Sequence, residues 1–599
     1  MTKKKKVPVN YTSRDFDSIR RDLIDYARRY YPDTYKDFSE ASFGSLMIDT
    51  VSYVGDILSF YLDYQVNESF LDTSIEYNNI VRQGKQVGYK FRGASSAFGA
   101  CAFFIKVPAN SVGLGPDENY IPILKKGTVV SSTANATFVL TEDLDFNDAA
   151  NTIVVAETNT TTGLPVSYAI RSFGKVASGE MGTETITVGQ FERFKKIKLS
   201  SPDIVEVLSV TDSEGHNYYE VDYLSQDVVY KNVVNRKTRS ANEPAAILKP
   251  FAVPRRYMVE RTRTTTFLQF GYGSDSEINK SSVVDPTDVV MQQNGRDYIS
   301  AESFDPSKLL DSDKFGIAPS NTTLRVTYRR NSVKKTNATA GSISNVGRFT
   351  LEFKDPSVLT GANKKIVNSS LEVTNLEPIV GNVSNPSREE LKQVIAGVHA
   401  SQNRAVTEQD YKSLVYAMPP QYGGLRRCSI YRDSDSFRRN LNLYVISEDN
   451  SNNLVATNST IKENLKTWLT QNKMINDTID IMDAKIINIQ ISFDAVAEVG
   501  VDKFDALNAG IEKLKETYKY KLDIGEPFSL AQIYSVLNKT VGISDVTNVR
   551  VTNKFGGAYS NIGYDIRERT TADGRYVNVP KNVILEIKYP DTDIKGTIK

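Results

Sequence analysis

Phe38-Ser39-Glu40-Ala41-Ser42-Phe43-Gly44-Ser45-Leu46-Met47-Ile48-Asp49, running on through Gly55-Asp56 to Tyr61-Leu62-Asp63, is the stretch around which the chain is organised. Ser39 and Ser42 are suited to cap a helix, and Glu40 stands near its positive end. Apolar residues recur at Phe43, Leu46, Met47, Val51, Val54, Leu58, Tyr61 and Leu62, which is helical spacing. The spacing predicts one uninterrupted helix over Ser42–Val66, about 35–40 Å long at about 1.5 Å per residue. A second stripe is small: Gly44, Ser52, Gly55 and Ser59. A third is acidic: Asp49, Asp56 and Asp63.

A glycine inside a helix costs about 1 kcal/mol against alanine, so Gly44 and Gly55 call for close approach by another helix. Two readings of that approach stay open. One is a helical hairpin or bundle inside the chain. The other is a bundle shared between chains, because the segment before it, Tyr11–Tyr31, adds only one more good helix and so few helices bury little alone. The candidate interface residues on this helix are Phe43, Gly44, Leu46, Met47, Val51, Ser52, Gly55, Leu58, Ser59 and Leu62. The acidic row reads as a solvated face or as a contact for a basic partner.

The chain has 599 residues, enough for several domains. Lys and Arg number 73 against 72 Asp and Glu, which is not the balance of a nucleic-acid binder. The local exception, Lys3-Lys4-Lys5-Lys6, reads as part of a disordered tail over Met1–Val9. No apolar run is long enough for a membrane span, and no apolar core follows the lysines as a secretory signal would require. Two cysteines, Cys101 and Cys428, make neither a disulfide framework nor a zinc-ligand pair and fit a reducing cytoplasm.

Along the chain, Thr12 or Ser13 is expected to cap a first helix that ends at Pro32. A further helix is expected over Ser74–Val87. From Ala100 the apolar period changes to two, and turn residues are frequent as far as Arg330, so this part reads as β-rich. Its clearest hairpin is Ile204–Val210, Asp212–Gly215, Tyr218–Tyr223. Its most distinctive run, Phe267-Leu268-Gln269-Phe270-Gly271-Tyr272-Gly273, reads as a strand ending in a glycine turn; Tyr298–Phe315 reads as a surface loop. The last third mixes helices and strands. Capping boxes stand at Ser387–Glu390 and Thr460–Glu463, Thr407–Asp410 is expected to cap another helix, and the region reads as two successive β-α-β units. Phe504, Leu507, Ile511 and Leu514 form a narrow apolar seam that suits either a core or an interface.

The expected fold class is therefore multidomain α+β. Residues 1–93 give N-terminal helices, 94–330 a β-rich middle domain, 331–480 an α+β domain, and 481–599 a C-terminal α+β domain for dimerisation or ring formation. Catalytic constellations are not apparent. His216 and His399 lack a Cys or Ser partner in a recognisable motif, no His pair stands at metal-ligand spacing, and the glycine runs match no phosphate or dinucleotide loop. The expectation is a protein with no enzyme activity, no cofactor and no metal.

Four stretches carry a resemblance. They are Asp37–Asp49 with its continuation to Asp63, Leu268-Gln269-Phe270-Gly271-Tyr272-Gly273, Ile317-Ala318-Pro319-Ser320-Asn321-Thr322-Thr323-Leu324, and Ala400-Ser401-Gln402-Asn403-Arg404-Ala405-Val406-Thr407-Glu408-Gln409-Asp410-Tyr411. In this order they resemble baseplate wedge proteins of contractile-tailed bacteriophages, within the baseplate J-like family. The resemblance implies a structural protein without an active site. It implies two copies joining one copy of a second wedge protein, with the N-terminal helices of all three in one bundle near the hub. It further implies C-terminal domains that pair to link wedges into a ring, and a rearrangement that triggers sheath contraction. The implied partners are the chain itself, a second wedge protein, other wedge subunits, sheath-initiator and hub proteins, with no nucleic acid and no membrane. The implied location is the virion tail baseplate after assembly in the host cytoplasm. The competing readings are a tail-associated polysaccharide hydrolase, which needs paired carboxylates in a cleft, and a host-glycan adhesin using the β-rich middle.

Overall fold

The computed structural model describes residues 14–599 except 35–36, 38, 40–41, 94, 111–114, 235–245, 274–314, 332–335, 358, 434–439 and 519–521. The lysine run, the tail, and all but Phe315 of the expected loop at 298–315 lie outside the described residues. The fold is mixed α+β, with N-terminal helices followed by a β-rich body that gains helices toward its C-terminus. It divides into two compact units: residues 1–89 with 386–395, and residues 90–385 with 396–599.

In the first unit, α1 (Phe16–Tyr30) follows Asp15, whose carboxylate accepts the Ser18 N–H as the cap; the expected caps Thr12 and Ser13 lie outside the described residues. The Asp15 carboxylate accepts an amide at the positive end of the helix, as a cap should. α2 (Phe43–Asn67) is a single helix of 25 residues, and Ser42 Oγ accepts the Ser45 N–H as expected. α3 (Tyr77–Gln86) follows. It begins later than the expected Ser74, because Ser74 Oγ donates to the Glu68 carboxylate at 2.9 Å. That buried carboxylate also accepts from the Ile75 and Glu76 N–H groups and from Asn79 Nδ2. The turn from α2 to α3 is therefore wound around one anion at the start of α3. Tyr77 Oη donates to the Pro386 carbonyl, and Ile395 packs so close to Gly84 that a Cβ there would lie 2.8 Å from Ile395 Cδ1.

Among the described residues the second unit has four sheets of four or more strands. The first sheet has seven strands, in the order Ile343–Val346, Val129–Ser132, Thr137–Leu140, Pro165–Ser178, Phe98–Pro108, Glu372–Thr374, with Thr152–Thr158 added on Pro165–Ser178. Inward residues such as Phe103, Ile105, Phe138 and Ile170 alternate with outward ones and fill its core. Two of its strands lie beyond residue 330, so pairing joins segments more than two hundred residues apart.

The second sheet contains the expected hairpin: Val210 pairs Tyr218, and Gly215 sits in the left-handed region at φ 87°. Its strand Thr266–Phe270 runs into Gly271-Tyr272-Gly273, which meets the Ile317-Ala318 motif directly. Gly273 N–H donates to Gly316 O and Ala318 N–H to Gly273 O. A Cβ on Gly271 would stand 2.2 Å from the carbonyl oxygens of Phe315 and Gly316. The glycine is there for this close approach.

The third sheet includes one β-α-β unit: Asn440–Glu448 and Thr478–Asp483 pair in parallel around the helix Ser459–Thr470. The cap of that helix is Asn458, not the expected Thr460. Asn458 Oδ1 accepts the Ile461 N–H while its Nδ2 donates to Phe98 O, so the residue both caps the helix and ties it to the first sheet. Thr407 caps its helix as expected, and Asp410 answers it to complete a capping box. The fourth sheet departs from the expected β-α-β form. Lys485–Ala497 pairs antiparallel with Ile543–Lys554, after two helices, Lys503–Thr517 and Leu530–Asn538. A single crossover helix returns the chain to the same end of the sheet, and a helix pair delivers it to the opposite end. Parallel partners come later, at Val583–Glu586 and Ile594–Ile598.

Candidate functional site

α1 and α2 form an antiparallel hairpin, and its inner side is made of the wrong residues for a core. Only Ser45 and Ser52 of α2 are buried, and no residue of α1 is. Gly55 faces Ile19, whose Cδ1 would be 3.2 Å from an added Cβ. Arg20 donates to Asp49 at 2.5 Å and to Ser45 Oγ at 3.3 Å, and Arg14 pairs with Asp63 at 2.8 Å. Two members of the acidic row thus meet arginines of the chain itself, Arg20 in α1 and Arg14 just before its cap.

The apolar residues of α2 point the other way. Phe43 is 77% exposed, Leu62 67% and Leu58 56%, and Leu46, Met47 and Val51 are each at least half exposed. Tyr53, Val54, Phe60, Tyr61 and Val66 extend the same exposed surface around and along the helix. The sequence reading left Tyr53, Phe60 and Val66 out; the signal for them was the all-round apolarity of the helix, which a one-stripe search ignores. Fully burying each such side chain is worth about 1.5–3 kcal/mol. A contiguous apolar surface of this size marks a contact site.

The candidate residues therefore separate. Phe43, Leu46, Met47, Val51, Leu58 and Leu62 come together on an open surface. Gly44 and Ser59 are half-buried. Ser52 is fully buried within the chain and Gly55 lies under Ile19, so these two do not serve an approach by another chain. A small side chain shortens the distance to whichever helix reaches it first, and that helix is α1. Of the two readings of the C-terminal seam, the structure places most of it on the core. Leu514 is fully buried, and Leu507 and Ile511 pack on the core of the fourth sheet. Phe504 alone of the four stays open.

Other chemistry is sparse. Among the described residues no three His, Cys, Asp or Glu side chains stand close enough to hold a metal ion. His216 Nδ1 lies 3.2 Å from the Asp212 carboxylate in its hairpin turn. Burial pushes the Cys101 thiol up to about 12 and the Cys428 thiol to about 11, which disfavours the reactive thiolate. Among the described residues no helix is long and apolar enough to cross a membrane.

Residues 15–86 match the family model for the N-terminal domain of bacteriophage baseplate proteins. The match covers α1, α2 and α3 and hence the whole of the exposed apolar surface. No curated protein matches the chain. Among solved structures, the chain is similar to one in the cryo-EM structure of the anti-feeding prophage baseplate, six-fold symmetrised. The likeness covers 98% of this chain and 99% of that one at 10% identity, with a TM-score of 0.26. It is also similar to a chain in the TssK-TssF-TssG baseplate subcomplex of the type VI secretion system. There 74% of this chain and 96% of that one are covered at 8% identity, with a TM-score of 0.23.

Proposed function

We propose that this chain is a structural subunit of a phage tail baseplate, without enzyme activity, and that α2 is the element by which it joins other subunits. One observation carries the reading: α2 turns its serines and Gly55 to α1 and leaves its apolar residues uncovered. In water that surface is unfavourable, and apolar helices from other chains remove it. The match of residues 15–86 to a baseplate domain supports the same location for the partner surface.

The finer reading is a baseplate wedge. Two copies of the chain and one of a second wedge protein contribute helices to a common bundle. The body of the chain then links wedges around the hub and relays the rearrangement that releases sheath contraction. The antiparallel α1–α2 pair enters this bundle preformed, so less ordering is needed on association.

Light scattering on the full chain, alone and mixed with neighbouring tail proteins, tests this. The expected result is a stable complex of two copies of the chain with one partner chain, lost on Leu58→Asp with Val51→Asp. A wild-type monomer indifferent to every tail protein overturns the reading.

A further inference from the structure

Seven consecutive residues at one edge of the first sheet are all exposed. They form the strand Thr152–Thr158, which pairs antiparallel with Pro165–Ser178 and has no strand on its other side among the described residues. It opens with Thr152-Ile153-Val154-Val155-Ala156. Ile153 is 46% exposed, Val154 54% and Val155 48%, and Leu164, Val166 and Phe173 of the same hairpin are about half exposed as well.

A bare strand edge presents unpaired N–H and C=O groups, and soluble proteins guard such edges with charge, bulges or a covering segment. The other edges of the two large sheets follow that rule. Glu180–Val188 carries Glu180 and Glu184, Lys196–Lys198 has a lysine at either end, and Glu372–Thr374 begins with a glutamate. Ile343–Val346, which has no charge, lies alongside Glu372–Thr374. Thr152–Ala156 has neither charge nor cover. Its register with Pro165–Ser178 is regular from Thr152 to Val155, and the bulge comes only after Val155. The one acid of the strand, Glu157, lies past the start of that bulge and is held by Lys106 of the same chain. β-branched residues open to water along a bare edge are what a further strand would cover.

The chemistry of the edge also names the strand. Opposite residues of an antiparallel pair share a face. A copy of Thr152–Thr158 laid antiparallel about Val154 therefore puts Ile153 opposite Val155 twice and Val154 opposite itself. β-branched pairs of this kind stabilise a ladder. Glu157 then stands opposite Asn151, so no like charges meet. One two-fold operation covers both bare edges at once, whereas a different partner has to bring a bare edge of its own. We propose that Thr152–Thr158 is a docking edge for a second copy of this chain, joined strand to strand in an antiparallel ladder centred on Val154. It does not rest on the assembly reading, because this strand and α2 share no residue.

The test uses the full chain carrying Val51→Asp and Leu58→Asp, so that α2 contributes no association. Sedimentation equilibrium should show a monomer–dimer equilibrium with a Kd on the order of 10 µM, the weak end expected of so short an edge. Val154→Lys and Val154→Glu in this background should each weaken it at least about tenfold, because like charges then face each other across the axis. An equimolar mixture of the two should recover the parent affinity within about threefold, which a merely structural effect would not allow. Val154 is exposed, so the melting curves should be unchanged. Val154→Cys adds an independent reading. Oxidation with diamide should join two chains through that position, since Cys101 and Cys428 are buried. The proposal is overturned if the background chain stays monomeric up to about 200 µM or if the single-charge variants dimerise as the parent does. It is equally overturned if mixing them restores nothing, or if Val154→Cys does not cross-link at concentrations where the dimer forms.

Discussion

α2 and the C-terminal helix Lys503–Thr517 look alike on paper and do opposite things in space. Both carry apolar residues at three- and four-residue intervals. The C-terminal helix lays Leu507, Ile511 and Leu514 on the fourth sheet, whose Ile491 and Phe493 belong to the same core. α2 has no sheet within its unit to lie on. Its neighbour is α1, which offers Ile19 and Arg20, with Arg14 just before the α1 cap. A charged, narrow neighbour is met by serines, a glycine and aspartates, and the apolar remainder of α2 is left outside. What a helix does with its apolar face depends on which surface is available to cover it.

The sharpest way to separate the two helices is to cut into each. Leu514→Ala is expected to destabilise the body by about 2–5 kcal/mol, as truncation of a fully buried leucine does. Denaturant unfolding of the full chain measures this, and a change under about 1 kcal/mol would place the seam outside the core.

Gly55→Leu tests the hairpin. Its side chain enters the space of Ile19, at a cost of about 1–3 kcal/mol for overpacking. Hydrogen exchange across α1 should speed up while the body is unaffected. Unchanged protection of α1 would mean that the two helices do not depend on this contact.

Glu68 gives the hairpin unit an acid limit. Asn79, together with the Ile75 and Glu76 amides and Ser74, holds its carboxyl down at about 2 in the fold. A carboxylate whose pKa falls on folding stabilises above its unfolded value and loses that contribution as pH drops. Protection of the Ile75 and Glu76 amides should therefore decline from about pH 4.5 toward pH 2. Glu68→Gln should weaken that protection at neutral pH and flatten its acid dependence. A variant that keeps the wild-type acid profile would remove Glu68 from the role.

The smallest expected effect on the isolated fold comes from Leu58→Asp. This exposed position should shift unfolding by no more than about 0.5 kcal/mol. Sedimentation of the variant with tail partners should nonetheless show weakened assembly. A large loss of intrinsic stability would mean that Leu58 is covered within the chain after all.

Much of the local structure was legible. The α2 span, the Ser42 cap, the Thr407 cap and the strands on either side of Ser459–Thr470 follow from spacing and capping chemistry that act within a few residues. Three things were not legible. The cap of Ser459–Thr470 was misplaced because Asn458 competes with Thr460 through a long-range bond to Phe98 O. The Asp49 and Asp63 partners were missed because Arg14, Arg20, Arg21, Arg28 and Arg29 stand on several sides of the first helix and the sequence does not say which of them face α2. The closeness of the edge strands Ile343–Val346 and Glu372–Thr374 was invisible because they stand at opposite ends of the strand order and meet only in the folded sheet.

By itself the sequence determined the helical N-terminus, the β-rich body, the α+β end and the excess of apolar residues on α2, since these depend on periodicity and local hydrogen bonds. The tertiary structure alone decided that Ser52 and Gly55 belong to the hairpin, that Leu514 belongs to the core, and that Phe43, Leu46, Met47, Val51, Leu58 and Leu62 stay open. Periodicity states that a face is apolar. Only the three-dimensional arrangement of neighbours states whether the chain has anything to put against it.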